Sequence, residues 1–482
     1  MALMYDHLQT DTIAAIATAM SEAGIGIIRV SGPDAAAIGS KLYRTPKREK
    51  TDLSQWKPGT IRFGYIVETG PDSSEKLIDE VMISWMKSPH SYTTEDTVEI
   101  NTHGGMFLMN RILELVLEAG ARMAEPGEFT KRAFLGGRID LARAEAVMDI
   151  ISSRNEFARR TSAAQLEGAV SKKIRELREK ILYEIAFIES ALDDPENYSL
   201  EGYPDRLMET CLCLELEMNN LLSHAEEGRI LREGIRTAIV GRPNVGKSSL
   251  LNHLAGEERA IVTEIEGTTR DTLSETVRVG GVLLHLTDTA GIRDTTDKVE
   301  QIGVHRAQQA LENADLILFL IDSSRELSPE DKQIAGRIIA KLREGTKCIL
   351  LVNKTDLSSE VKEEEVKSLF TSQGCECPPL LFCSLQTGEG MKELGEYVSD
   401  LFHTGEIAEK NEIFLTNLRH KDAVKEARDS ICLVKDSIEN GMSEDFFSID
   451  LMNAYRVLGT ILGEAVEDDL VEEIFSKFCM GK

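Results

Sequence analysis

The sequence predicts a multidomain α/β and α+β chain, with an N-terminal α+β domain, a helical domain in two segments, and a P-loop α/β domain inserted between them. Three observations carry that expectation. Gly241-Arg-Pro-Asn-Val-Gly-Lys-Ser-Ser249 lies between a short apolar run and a helix-like run, the strand–loop–helix setting of a phosphate cradle. Apolar runs separated by turn-forming residues fill residues 14–121, as strands do. Apolar residues recur at three and four on both sides of the P-loop block, as on amphipathic helices. The expected segments are 1–122, 123–232, 233–403 and 404–482.

Length and composition fit this plan. At 482 residues the chain has room for about three domains of roughly 150 residues. Only 5% of residues are aromatic, which suits helices better than a β-sandwich. The net charge of −27 excludes a chain that grips nucleic acid over its whole surface, so any such contact needs a local basic patch. Neither Cys211/Cys213 nor Cys375/Cys377 has C-x-x-C spacing or histidines beside it. Zinc is therefore not expected and reduced thiols are. The polar start and the lack of a long apolar span predict a soluble, cytoplasmic protein without membrane association.

In the N-terminal domain, strands are expected at Gly26-Ile-Ile-Arg-Val30, Thr60-Ile-Arg-Phe-Gly-Tyr-Ile-Val67, Val81-Met-Ile-Ser-Trp85 and Thr97-Val-Glu-Ile100, with a helix over 107–117. Glu125-Pro-Gly-Glu-Phe-Thr130 marks a change of texture. Residues 140–192 hold no proline and one glycine, so a helical stretch broken once or twice is expected there. Further helices are expected over 206–231, 411–439, 448–462 and 467–478.

The P-loop block carries a full set of nucleotide motifs. The loop glycines let backbone N–H groups crowd a phosphate, at the positive end of the following helix. Lys247 would reach the β- and γ-phosphates and Ser248 would hold Mg²⁺, with Asn244, Val245, Gly246 and Ser249 completing the cradle. Asp288-Thr289-Ala290-Gly291 ends the expected strand 282–287, which pairs with 276–279 across Gly280-Gly281. Asp288 can hold Mg²⁺ through water. Asn353-Lys354-Thr355-Asp356 ends the strand 348–352. Its aspartate can accept both donors of the guanine edge, which adenine cannot supply, so GTP is expected. Ser384-Leu385-Gln386 would place a backbone N–H against the guanine carbonyl. Together these motifs predict a Ras-like GTPase domain.

One position departs from the usual plan. Many GTPases carry a water-orienting Gln after the Asp-x-x-Gly glycine, but here it is Ile292. Arg270 and Arg293 are nearby candidates for an arginine finger. A monovalent cation is the alternative, with oxygen ligands from Asn244 and the loop Thr263-Glu264-Ile265-Glu266-Gly267-Thr268-Thr269. Thr269 would be the second Mg²⁺ hydroxyl.

Gly267-Thr-Thr-Arg-Asp271, Ile292, Val299-Glu-Gln-Ile-Gly303 and the terminal Phe478-Cys-Met-Gly-Lys482 together resemble the MnmE (TrmE) family of tRNA-modification GTPases. So do Ser91-Tyr-Thr-Thr-Glu-Asp96, His103-Gly-Gly105 and Pro126-Gly-Glu-Phe-Thr-Lys-Arg-Ala-Phe134. The resemblance implies that the chain works with the flavoprotein MnmG (GidA), as a heterotetramer, on carbon 5 of the wobble uridine of tRNA. It adds an aminomethyl or carboxymethylaminomethyl group there. The one-carbon unit comes from a tetrahydrofolate, a 5-formyl or 5,10-methylene derivative, bound by an N-terminal domain that also forms the homodimer. Hydrolysis is activated when the GTPase domains dimerise around K⁺. On the family pattern, K⁺ falls to Asn244, Thr263, Ile265 and Thr268, the water-orienting role to Glu300, and folate binding to Arg29, Glu99, Arg138 and Lys482. The residues by themselves rank Glu300 below Asp271 and Glu266. A pterin presents the same amino and N–H edge as guanine, so Glu99 could accept both protons and arginines could pair with the folate glutamate. Three positions depart from the family. Arg138 stands where Lys is common, Ser384-Leu385 where Ser-Ala is, and Thr94 where Gly is, which puts strain on that turn.

Other residues are expected to play plainer parts. Cys479 is expected to be inert, His103 to serve a turn or packing, and Cys375-Glu-Cys377 to lie on a surface loop. The basic series Arg154, Arg159, Arg160, Lys172, Lys173, Arg175 and Arg178, interleaved with Glu, reads as a solvated helix face rather than a tRNA contact. The acidic run 464–473 argues against RNA contact at the C-terminal face. A ribosome-assembly switch like Era or Der is the alternative reading, since it shares the GTPase motifs but has no folate residues.

Overall fold

The structure, a computed structural model, describes residues 11–153, 155–194, 197–198, 200–223, 225, 234–257, 274–280, 282–287, 311–343, 345–402, 413–464, 471, 474–476, 478 and 481. The chain divides into two compact units, one of residues 1–151, 163–214 and 426–482, the other of 152–162 and 215–425.

The first unit is organised on a seven-stranded sheet. Its strands are β1 (Ile13–Ile16), β2 (Gly26–Ser31), β3 (Tyr43–Arg44), β4 (Thr60–Thr69), β5 (Glu75–Met86), β6 (Thr97–Thr102) and β7 (Arg122–Met123), in the order β3-β4-β5-β6-β2-β1-β7. Along β2, Ile28 and Val30 are fully buried while Arg29 alternates to the other face, the period-2 signature of a sheet with one core face. Helices Ala35–Leu42 and Met106–Glu118 cover that core face with Ile38, Met109, Ile112 and Val116. The first of these helices lies in a stretch expected to be strands and turns. Its Gly39, at mid-helix, is weak as a helix former, and a Cβ there would press on Leu53 Cδ2, the far end of that side chain. β5 begins six residues earlier than the apolar run 81–85 suggests. Its polar half, from Glu75, is held by pairing with β4.

The expected helical stretch from 140 is broken twice, into Leu141–Ser152, Glu156–Glu167 and Ala169–Asp193. Ala169–Asp193 packs against Glu444–Leu462, so segments from before and after the inserted block meet within this unit. Arg178 is nearly buried, stacks 4.1 Å from the Tyr455 ring and pairs with Glu464. It is a packing residue rather than part of a solvated face. The next helix runs Tyr203–Ser223 and another Leu418–Glu439.

The second unit holds a six-stranded sheet. Its strands are β8 (Ile235–Val240), β9 (Ser274–Val279), β10 (Val282–Thr287), β11 (Leu316–Asp322), β12 (Lys347–Asn353) and β13 (Leu380–Phe382), ordered β13-β12-β11-β8-β10-β9. Only the β9–β10 pair is antiparallel, and it has the expected hairpin register, Val279 opposite Val282. β11 is buried at all seven positions, as a parallel strand covered on both faces should be. Cys375 and Cys377 are half-buried and pack against the core that holds Cys348, so the surface-loop expectation is corrected. Burial pushes the Cys348 thiol well above its usual range. Among the described residues, no helix is long and apolar enough to cross a membrane.

Candidate functional site

The P-loop leaves β8 at Gly241 and enters helix Lys247–Glu257. Gly246 has φ +109, and a Cβ there would strike Asn353 Nδ2, so this turn admits only glycine. Asn244 also has a positive φ, +63, and is exposed, as are Ser248 and Ser249 at the helix start. Val245 turns inward as a core anchor. Lys247 Nζ donates to the carbonyls of Gly241 at 2.7 Å and Arg242 at 2.8 Å. These two bonds hold the ammonium over the loop.

The two segments expected to read guanine converge on the same loop. Asn353 Nδ2 donates to Val245 O at 2.8 Å, and Asn353 Oδ1 accepts from Leu385 N at 3.1 Å. One buried side chain therefore joins the P-loop to the Ser384–Gln386 turn. Asp356 is exposed, and its Oδ1 accepts from Ser384 Oγ at 2.7 Å. That bond fixes the carboxylate's orientation while its body faces solvent. Lys354, at φ +71, pairs with Asp322 at 2.6 Å. Burial alone would raise the Asp322 carboxyl, but the bonds from Lys354 and Ser324 outweigh it and hold the group below the usual carboxylate range. Thr355 Oγ1 is buried without a hydrogen-bond partner among the described residues. The residues Thr263 to Thr269, Arg270, Asp271, Asp288 to Gly291, Ile292, Arg293 and Glu300 lie outside the described residues.

A second cluster sits on the far face of the N-terminal sheet. Register places Arg29 of β2 opposite Glu99 of β6, and Glu99 opposite Ser84 of β5. Arg29 Nε donates to Glu99 Oε1 at 2.8 Å, with side-chain exposures of 13% and 22%. Arg29 Nη1 donates to Gly481 O at 3.1 Å, bringing the carboxyl-terminal tail to the sheet. Gly481 has φ +85, and a Cβ would collide with the Ile16 carbonyl. Tyr92 stands between two cations, with Arg29 5.2 Å and Arg138 4.5 Å from its ring. Its hydroxyl meets Thr130 Oγ1 at 2.9 Å. Phe129 flanks Arg29 at 5.6 Å. Ser84 Oγ is buried with no hydrogen-bond partner among the described residues.

Among the described residues this cluster combines the Tyr92 and Phe129 rings, the Arg29 and Arg138 guanidinium groups and the Glu99 carboxylate, a composition that matches a planar heterocycle with an anionic tail. The structure brings Arg29, Glu99 and Arg138 together, while Lys482 and Cys479 lie outside the described residues. Sequence reasoning missed Tyr92, Phe129 and Ser84 as members. Tyr92 could have been found as the aromatic residue inside its own motif, but Ser84 has no local signal.

Behind the cluster, Arg132 is nearly buried and pairs with Glu128 at 2.9 Å, Asp11 at 2.7 Å and Glu95 at 3.1 Å. Burial pushes the Glu95 carboxyl up despite Arg132 and Ser31. Thr94 has φ +68, so the strain expected at this turn is present. His103 is not a packing residue, because its ring is 67% exposed. Its Nδ1 lies 2.7 Å from Asp79 Oδ1 and its backbone N donates to Oδ2 at 2.9 Å.

Comparison with known proteins follows the same outline. Residues 141–479 match the model for the MnmE helical domain, and residues 12–138 the model for the GTP-binding protein TrmE N-terminus. The tRNA modification GTPase MnmE of Lachnoclostridium phytofermentans is 50% identical, over 98% of this chain and 100% of its own. Its counterpart from Alkaliphilus oremlandii is 45% identical over 98% and 99%, and that of Bacillus subtilis 44% over 98% and 100%. The solved G domain of the T. maritima FeoB iron transporter is 26% identical, covering 34% of this chain and 96% of its own. Its TM-score of 0.24 is too low to bear on the fold.

Proposed function

Because this chain belongs to the MnmE family of tRNA modification GTPases, we propose that it is a K⁺-dependent member whose GTP hydrolysis drives modification of the wobble uridine at carbon 5. In this reading it acts in the cytoplasm as a homodimer, in a heterotetramer with the flavoprotein MnmG, and takes its one-carbon unit from a tetrahydrofolate. The segments 1–122, 123–232, 233–403 and 404–482 are the folate-binding, helical, GTPase and second helical parts.

The observation that carries the folate half is the Arg29–Glu99 pair walled by Tyr92, Phe129 and Arg138. A ribosome-assembly GTPase of the Era or Der kind has no use for it. For the GTP half, support comes from Lys247 held over its loop and from Asp356 oriented by Ser384. Ser248 and Thr269 would hold Mg²⁺, which would neutralise phosphate charge. Asn244, exposed on a left-handed turn, has an amide oxygen suited to K⁺, with Thr263, Ile265 and Thr268 completing the set. Dimerisation of the GTPase domains would then place the cation where other GTPases use an arginine, and Glu300 would orient water. A GTP-stabilised dimer differs in population from a GDP-bound one, which makes hydrolysis a switch.

GTP turnover in KCl against NaCl at matched ionic strength tests this, for wild type and Glu300→Ala. A K⁺-specific rate that is lost in Glu300→Ala is expected. Equal rates in both salts would remove K⁺ from the mechanism, and a K⁺-activated rate surviving in Glu300→Ala would remove Glu300.

A further inference from the structure

We infer that Asp331 is a positioning residue for the phosphate loop, acting through Arg242. This rests on the P-loop being the phosphate site.

Arg242 is the second residue of the loop, and its carbonyl is one of the two that hold Lys247. Its side chain, 16% exposed, reaches Asp331, with Nε 3.0 Å from Oδ2. Asp331 is fully buried, in the first turn of helix Pro329–Arg343. There it closes a capping box with Ser328. Ser328 N and Oγ each donate to Oδ2 at 2.9 Å, and Asp331 N donates back to Ser328 Oγ at 3.3 Å. The Arg242 Nε–H is not aligned on Oδ2 as a hydrogen bond, and Asp331 Oδ1 has no hydrogen-bond partner among the described residues. The link is therefore an ion pair held by charge and burial.

A fully buried carboxylate stripped of its counter-charge is strongly unfavourable. Arg242 is thus bound to stay, and with it the backbone whose carbonyl orients Lys247. At the other end of the loop, Asn353 grips Val245 O. The loop is braced at 242 by the helix after β11 and at 245 by the guanine-reading strand, and the exposed Pro243-Asn244 arch is suspended between them. Preorganisation of this kind lowers the cost of closing on a phosphate, because the donors need not be gathered at binding. The glycines of the loop provide freedom, and Asp331 limits it.

The test uses the full chain and a fluorescent GDP analogue, with thermal midpoints measured beside affinity. Asp331→Asn keeps an oxygen for the Ser328 donors and removes only the charge facing Arg242. It is expected to weaken GDP binding about tenfold, chiefly through faster dissociation, with a midpoint close to wild type. Arg242→Lys, which keeps charge but loses the planar fork, should fall between the two. Arg242→Ala combined with Asp331→Asn should bind no more weakly than the weaker single variant, because both cut one link. Binding by Asp331→Asn within about twofold of wild type, or losses that add in the double variant, would overturn the assignment. Lys247→Ala is the control for the premise. If it binds GDP as wild type does, the phosphate-site reading has failed, and this inference with it.

Discussion

The nucleotide site and the Arg29–Glu99 cluster would set a carboxylate the same task, accepting two N–H groups from a flat heterocycle, but they do it with different parts of a fold. Asp356 stands on an exposed loop and is oriented by one hydroxyl, Ser384. Glu99 stands mid-strand, is half covered, and is oriented by a guanidinium across the strand pair. A loop carboxylate can adjust to its ligand. A strand carboxylate is fixed by register, and a slip of one residue would turn it to the core face. The first arrangement suits a ligand that is bound and released every cycle, and the second a shaped pocket.

The largest expected effect breaks the loop side of this contrast. Asp356→Asn replaces an acceptor pair by one donor and one acceptor. Guanine nucleotides should lose at least about a hundredfold in affinity, with xanthine nucleotides gaining. Competition binding with GDP and XDP measures both.

Next comes the strand side. Glu99→Ala removes the acceptor and leaves Arg29 without its carboxylate partner, with the Gly481 carbonyl as its remaining hydrogen-bond acceptor among the described residues. Binding of 5-formyltetrahydrofolate, followed by calorimetry, should fall about a hundredfold. Ser84→Ala sharpens the same comparison with a smaller change. Its buried Oγ meets no hydrogen-bond partner among the described residues, so if the hydroxyl serves the ligand, folate binding falls by about threefold to tenfold while the thermal midpoint does not drop.

How much of this was legible follows from how each site is written. The nucleotide site is made of contiguous motifs at strand ends, so spacing alone exposed Lys247, Asn353 and Asp356. The sheet cluster draws on residues 29, 84, 92, 99, 129 and 138, of which 29, 84 and 99 meet through strand register while 92, 129 and 138 are brought in by loops and a helix. Family resemblance supplied three of them, and no local pattern marks Ser84. Helix Ala35–Leu42 was missed because its mid-helix glycine argues against helix, while burial of Ile38 and Leu42 in the core of the sheet favours it. Cys375 and Cys377 were misplaced because a short loop's burial depends on what lies beneath it. Arg178 was misread because sequence spacing does not show Tyr455 and Glu464 waiting across the helix pair.

The smallest expected effect is a titration. The hydrogen bond that His103 donates to Asp79, and then the Asp79 charge, raise the His103 pKa above the ordinary imidazole value. A raised folded pKa gives stability that is fully present below the unfolded value near 6.5 and is lost as pH rises through the folded value. Asp79→Asn should therefore lower the His103 pKa by NMR and flatten the stability profile above the unfolded imidazole value of about 6.5. An unchanged His103 titration would contradict the pairing.

The most direct test of the account is a single calorimetric cross. GDP and 5-formyltetrahydrofolate are each titrated into wild type, Glu99→Ala and Asp356→Ala. The account predicts that wild type binds both ligands, Glu99→Ala loses only the folate, and Asp356→Ala loses only the nucleotide. Folate binding untouched by Glu99→Ala, or GDP binding untouched by Asp356→Ala, would contradict it.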